Sequence, residues 1–129
     1  MNSVYSVCSV VINDFMPGKL TTHVLDLASG KPAVAMKIEL WRSGDATKLI
    51  KNVKTNADGR TDGPLLDASA LAAGSYELLF CVKDYFTAQG VECTFLDKVP
   101  VRFCIVDANV SYHVPLLVTP WSYQTYRGS

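Results

Sequence analysis

A chain of 129 residues with twelve basic and twelve acidic side chains has room for one domain, and a chain of this size buries roughly two thirds of the surface its unfolded form exposes. With no excess of either sign it sets up no long-range field for a phosphate backbone or an anionic membrane surface, so nucleic acid is not an expected partner. No apolar run of about eighteen residues is present to span a bilayer, and a membrane partner is not expected either.

The four cysteines, Cys8, Cys81, Cys93 and Cys104, show no Cys-x-x-Cys spacing, and three stand in apolar contexts such as LLFCVKD and VRFCIVD. They read as small reduced core hydrophobes rather than a disulfide framework. With His23 and His113 as the two histidines, no metal site is expected.

The opening stretch, MNSVYSVCSVVINDF, is moderately apolar but lacks a basic leading region and a small-residue cleavage site, so it does not read as a secretory signal. Met16 offers an alternative start. Residues 1–19 are therefore assigned as an N-terminal extension and 20–129 as the folded domain. From Leu20 onward the pattern is short apolar segments punctuated by turns. LTTHVLDL is followed by the turn cluster ASGKPA, and AVAMKIELWR then sets Met36, Ile38 and Leu40 against Lys37, Glu39 and Trp41, the alternation of a half-buried strand. SGDAT breaks it, KLIKNVKT alternates again, and NADGR supplies an Asp-Gly turn.

A short ambiguous segment, DGPLLDASALAAG, precedes the strand-like SYELLFCV. KDYFTAQG is the one helix candidate, barely two turns long and dependent on packing. VPVRFCIVD and SYHVPLLVT follow as strands, the second interrupted by Pro115 and hence expected at an edge or a bulge. WSYQTYR closes the series as one more strand. Seven to eight short strands at near-regular spacing, with one short helix, predict an all-β sandwich.

Several residues stand out chemically. A strand through LTTHVLDL puts Thr21, His23, Leu25 and Leu27 on one face, and His113 shares its strand face with Ser111, Pro115 and Leu117. An imidazole beside apolar neighbours is partly desolvated, which favours the neutral form that can act as a base; a hydrogen-bonded core or interface histidine is the alternative. Arg60 follows the Asp58-Gly59 turn and would project its planar fork from the start of a strand, toward a carboxylate, a phosphate or the imide edge of a heterocycle. A plain surface arginine is the other reading. Tyr126, Arg127 and Ser129 end the chain with a phenol, a second guanidinium and a hydroxyl, after a TPWSYQTY segment whose aromatic and β-branched residues suit sheet pairing.

Taken together, LTTHVLD, ASGKPA, TNADGR, SYHVPLLVTP and the terminal YRGS resemble the transthyretin-like family, and within it the 5-hydroxyisourate hydrolase branch. The resemblance runs from about Leu20 to Ser129, with YFTAQG and TFLDKVPVRF where the family has its short helix and following strand. It implies a transthyretin-like sandwich, a homotetramer with active sites where subunits meet, and a tail ordered by a neighbouring chain. The implied activity is hydrolysis of 5-hydroxyisourate to 2-oxo-4-hydroxy-4-carboxy-5-ureidoimidazoline in urate degradation, with no metal or organic cofactor.

Carried over, His23, Arg60, His113 and Ser129 would be catalytic, and Tyr126 and Arg127 would bind substrate together with His23 and Arg60. Gly128 would serve backbone geometry. The implied division makes His113 the group that orients or deprotonates water, while His23 and Arg60 hold substrate and the developing oxyanion. A TFLDKV stretch stands where the family often has FFP, and reads as loop variation. The expected location is the cytoplasm, with periplasm and peroxisome left open. Two alternatives stand beside the hydrolase: a non-catalytic small-molecule carrier of the same fold, and an immunoglobulin-like structural module.

Overall fold

A computed structural model describes residues 18–128. Ten short strands and one helix follow one another along this span: β1 (Leu20–Thr21), β2 (Val24–Asp26), β3 (Lys31–Pro32), β4 (Lys37–Ser43), β5 (Lys48–Lys54), β6 (Gly74–Cys81), α1 (Val82–Ala88), β7 (Lys98–Ile105), β8 (Tyr112–His113), β9 (Leu116–Val118) and β10 (Tyr123–Thr125). One four-stranded sheet has the order β5-β4-β6-β7 and is antiparallel throughout. The other has the order β10-β9-β2-β3 and contains a parallel pair, β2 with β9. Their inner faces meet in one apolar core that includes Ile38, Leu40, Tyr76, Leu78 and Phe80 from the first sheet and Val24, Leu116 and Val118 from the second.

Two of the segments expected as single strands, LTTHVLDL and SYHVPLLVT, each divide in two, and β3 forms inside the expected turn cluster ASGKPA, so that ten strands appear where seven to eight were expected. β1 pairs with β8 in parallel, Leu20 opposite Tyr112 and Thr21 opposite His113. β2 and β9 keep the same stagger, Val24 opposite Leu116. Backbone bonds from Val114 N to Thr21 O and from Leu116 N to His23 O, both 2.9 Å, carry the ladder across the break. Pro115 lies in that break, buried between β8 and β9 and not on a sheet edge. Its missing N–H costs no bond there, because alternate residues 112, 114 and 116 donate toward the β1–β2 side.

Helix α1 spans 82–88 where 83–90 was expected. It buries Val82, Tyr85 and Phe86 against the sandwich. Tyr85 is tied to the second sheet through its hydroxyl, which donates to Oδ2 of the buried Asp26 at 2.8 Å. The other carboxylate oxygen accepts from the backbone N–H groups of Ala28 and Ser29, so that the buried charge has several hydrogen-bond partners. Burial, first, and this carboxylate, second, push the Tyr85 phenol well above its ordinary value. Cys81 and Cys93 are buried free thiols, as expected, but Cys104 is exposed on β7: apolar neighbours in sequence say little about burial when β7 is the last strand of its sheet. Cys8 lies outside the described residues.

Candidate active site

Parallel pairing of β1–β2 with β8–β9 makes one surface with two faces. Leu20, Thr22, Val24, Tyr112, Val114 and Leu116 point inward and are buried, while Thr21, His23, Leu25, His113 and Leu117 are half-buried on the outer side. The two histidines thus stand on one face, brought there by segments about ninety residues apart. The consecutive threonines of LTTH divide the same way. Thr22 turns inward and donates to the Val114 carbonyl at 2.7 Å, and Thr21 turns outward, its Oγ1 2.9 Å from His113 Nδ1.

Arg60 joins them from the opposite flank. Residues 59–66 run alongside β1 and β2: Leu20 pairs with Leu66 and His23 with Arg60, and Val24 N donates to Gly59 O at 2.8 Å. A tight turn sets this approach. Gly59 N–H donates to Asn56 O at 3.0 Å, with asparagine first and glycine fourth, as type I turns favour. Gly59 has φ +75°, and a Cβ there would stand 2.4 Å from the Val24 carbonyl oxygen; only glycine allows both the conformation and the contact. The Asp58 carbonyl is then 2.8 Å from His23 Nε2. A carbonyl only accepts, so Nε2 carries a proton, and in the neutral tautomer the lone pair lies on Nδ1.

His113 sits in a different electrostatic setting. Burial pushes its pKa below the ordinary 6.5, and the positive charge of Arg60 followed by His23 pushes the same way. A neutral imidazole near a fixed guanidinium is the combination needed to take a proton from water while a cation meets the charge that develops elsewhere. Arg60 itself lines an open cavity of about 250 Å³, with Lys19, Thr21, Thr22 and Thr61 together with Gly63 and Pro64.

Within one chain the tail pairs with β8. Gly128 pairs with His113, its N–H donating to the His113 carbonyl at 2.7 Å, and a Cβ on Gly128 would lie 2.8 Å from His113 Cδ2. The glycine is what lets the chain end pass against the imidazole. Arg127 points elsewhere: its guanidinium lies 4.5 Å from the centroid of the Tyr112 ring, on the inward side of β8, and donates to Ser111 O at 3.4 Å. Tyr126 and Arg127 line a separate cleft of about 230 Å³ with Phe103 and Cys104 of β7. Within one chain, then, His23, Arg60, His113 and Gly128 come together, whereas Tyr126 and Arg127 face away. Ser129 lies outside the described residues. Thr21, Asn56 and Asp58 are not singled out for the site by the sequence; the asparagine-to-glycine turn spacing is the available signal for the last two. Among the described residues no three His, Cys, Asp or Glu side chains converge in a way that would hold a metal ion.

Residues 20–128 match the model of the HIUase/Transthyretin family. A protein of Rhizobium meliloti (strain 1021) named 5-hydroxyisourate hydrolase 2 is 55% identical over 116 residues, covering 87% of this chain and 97% of the relative. Among solved structures, 5-hydroxyisourate hydrolase of Klebsiella pneumoniae is similar with a TM-score of 0.75 and 34% identity, over 87% of this chain and 99% of that one. Sea bream transthyretin in complex with thyroxine shares the fold with a TM-score of 0.79 and 26% identity, over 85% of this chain and 94% of that one.

Proposed function

The chain belongs to the HIUase/transthyretin family, and on that premise we infer that it is a 5-hydroxyisourate hydrolase, opening a cyclic amide bond of its substrate to give 2-oxo-4-hydroxy-4-carboxy-5-ureidoimidazoline. The observation that carries the chemistry is the convergence of His23, Arg60 and His113 on one outer sheet face from three separate segments. The relatives that carry this activity in their names agree with it.

In this reading His113 is the base. With the Thr21 oxygen accepting from Nδ1–H, its Nε2 lone pair takes a proton from the attacking water, whose oxygen adds to the amide carbonyl carbon. Negative charge moves onto the carbonyl oxygen and is met by the Arg60 guanidinium. Collapse breaks the carbon–nitrogen bond, and the imidazolium returns the proton to the leaving nitrogen. His23, its Nε2–H committed to Asp58 O, offers Nδ1 as an acceptor for a ring N–H of the substrate. Gly128 abuts the His113 ring, and in this reading the residue after it, Ser129, is assigned a catalytic role through its hydroxyl.

Tyr126 and Arg127 act in a homotetramer, at sites formed where subunits meet, and contribute to substrate binding there. The exposed Leu27 beside half-buried Leu25 and Leu117, on the face that carries both histidines, suits such an assembly. Residues 20–129 form the hydrolase unit and 1–19 an extension. Among the described residues three thiols are free, which suits a reducing cytoplasm, and no helix there is long and apolar enough to cross a membrane.

The test is the decay of freshly generated 5-hydroxyisourate, followed by ultraviolet absorbance, with the full chain and with a variant lacking residues 126–129. Acceleration by the full chain, lost in a truncated variant that still assembles, is the expected outcome. No acceleration by folded full-length protein would overturn the hydrolase reading and leave the carrier, whose site would bind a ligand unchanged.

A further inference from the structure

The turn that delivers Arg60 is organised by one side chain. Asn56 Oδ1 accepts from two backbone groups, Asp58 N–H at 2.9 Å and Arg60 N–H at 3.1 Å. Its Nδ2 donates to Asp62 Oδ1 at 3.1 Å. On the main chain, Asn56 N–H donates to Arg60 O at 2.7 Å and Asn56 O accepts from Gly59 N–H at 3.0 Å. One half-buried asparagine thus anchors the turn at five points.

The Asp58 carbonyl and the Gly59 N–H belong to one trans peptide unit and point in opposite directions. That N–H is tied back to Asn56 O, and the side-chain Oδ1 of Asn56 holds the N–H groups on either side of the unit, those of Asp58 and Arg60, so the Asp58 carbonyl is turned outward and lies 2.8 Å from His23 Nε2. We propose that Asn56 is a positioning residue for the hydrolase site: by fixing the Asp58–Gly59 peptide it holds the His23 ring in one orientation and keeps its proton on Nε2, leaving Nδ1 to face the substrate. The proposal rests on the hydrolase reading for its consequence in turnover, but its physical content, the tautomer of His23, can be read without any substrate.

Asn56 does more here than close a turn. Gly59 and the main-chain bonds already close it, and a residue needed only for that would leave the imidazole unchanged when its side chain is trimmed. Asp62 braces the amide from outside the turn, which gives the proposal a chemical handle. Exchanging the two residues, Asn56→Asp with Asp62→Asn, keeps an oxygen aimed at both backbone N–H groups and restores a side-chain donor and acceptor between positions 56 and 62. It also keeps the net charge unchanged.

The experiment is long-range proton–nitrogen NMR of the imidazole rings in full-length protein at neutral pH, read beside hydrolysis rates for the same samples. With two histidines in the chain, a His113→Gln sample assigns the signals. Wild type should show His23 protonated on Nε2 and bare on Nδ1. Asn56→Ala should move both His23 nitrogens toward the averaged values of a free imidazole, and turnover should fall about 10- to 100-fold, the scale of loss that a misplacement of up to about 1 Å brings. The exchanged pair should return both readouts, with the rate within about threefold of wild type, the span of one modest hydrogen bond. Wild-type ring shifts in folded Asn56→Ala would overturn the proposal while leaving the hydrolase reading intact. Absent hydrolysis with the expected ring shifts would do the reverse. Should Asn56→Ala fail to fold, Asp62→Ala removes only the brace on Nδ2: a smaller shift in the same direction supports the proposal, and unchanged His23 nitrogens overturn it.

Discussion

The inner and outer faces of the β1–β2 and β8–β9 pair are built from alternate residues of the same two segments, yet they obey different rules. Leu20, Val24 and Leu116 are fully buried inside, where any shape that fills the space serves. Thr21, His23 and His113 stand outside, the hydroxyl and one nitrogen of each ring given a named partner. Because side chains alternate with a period of two, a register slip of one residue would exchange core and site entirely. The apolar face therefore does the aiming: packing on one side fixes where the imidazoles stand on the other.

That division predicts that the two faces fail differently. The largest effect belongs to Arg60→Ala, which should lower turnover on 5-hydroxyisourate by about 100- to 1000-fold, the usual cost of one oxyanion donor, while unfolding midpoint and assembly stay as they were. Steady-state rates beside a denaturant curve check it, and retention of more than about a tenth of normal turnover would remove Arg60 from the chemistry. On the inner face, Leu116→Ala should destabilise the fold by about 2–5 kcal/mol through lost burial and an unfilled cavity. Turnover per folded molecule should stay near normal, because Leu116 touches the site only through its backbone bond to His23 O. A loss of turnover as large as that of Arg60→Ala would show that the faces are not separable.

The smallest effect is a pH dependence confined to the outer face. His113 is held below its ordinary 6.5 by burial first and by Arg60 and His23 after it, so the folded chain resists a proton that the unfolded chain accepts. Stability should accordingly be unaffected by this group above 6.5, fall as the pH drops from 6.5 toward the lowered folded value, and level off below it. Turnover should decline as the pH passes through the lowered folded value, where the base of the folded chain takes up its proton. Denaturant midpoints across this range, compared between wild type and His113→Gln, isolate the contribution; identical pH slopes in the two would break the assignment.

Much of the fold and of the candidate site is legible in the amino-acid sequence. Alternation in AVAMKIELWR, the Asp-Gly turn and the short helix candidate each correspond to an observed element, β4, the 56–59 turn and α1. The face shared by Thr21, His23 and Leu25 follows from strand alternation as well. Pro115 does not follow: expected at an edge or a bulge, it occupies the break between two strands of a continuous ladder. Cys104 reads as core yet is exposed, because an apolar neighbourhood along the chain does not reveal the edge position of β7.

Which way each side chain points within its own strand is readable from the amino-acid order, because it follows from a two-residue period and from turn residues whose backbone preferences are local. The same order carries the motifs by which the family is known. Which strands are neighbours emerges with the folded sandwich, for periodicity names a face and never the partner across it. The parallel stagger that sets Thr21 against His113, the turn that aims the Asp58 carbonyl at His23, and the glycine that lets the chain end pass the His113 ring all join residues far apart in sequence. Their closeness is fixed by burial on the opposite face and by backbone hydrogen bonds that form only once the sandwich closes.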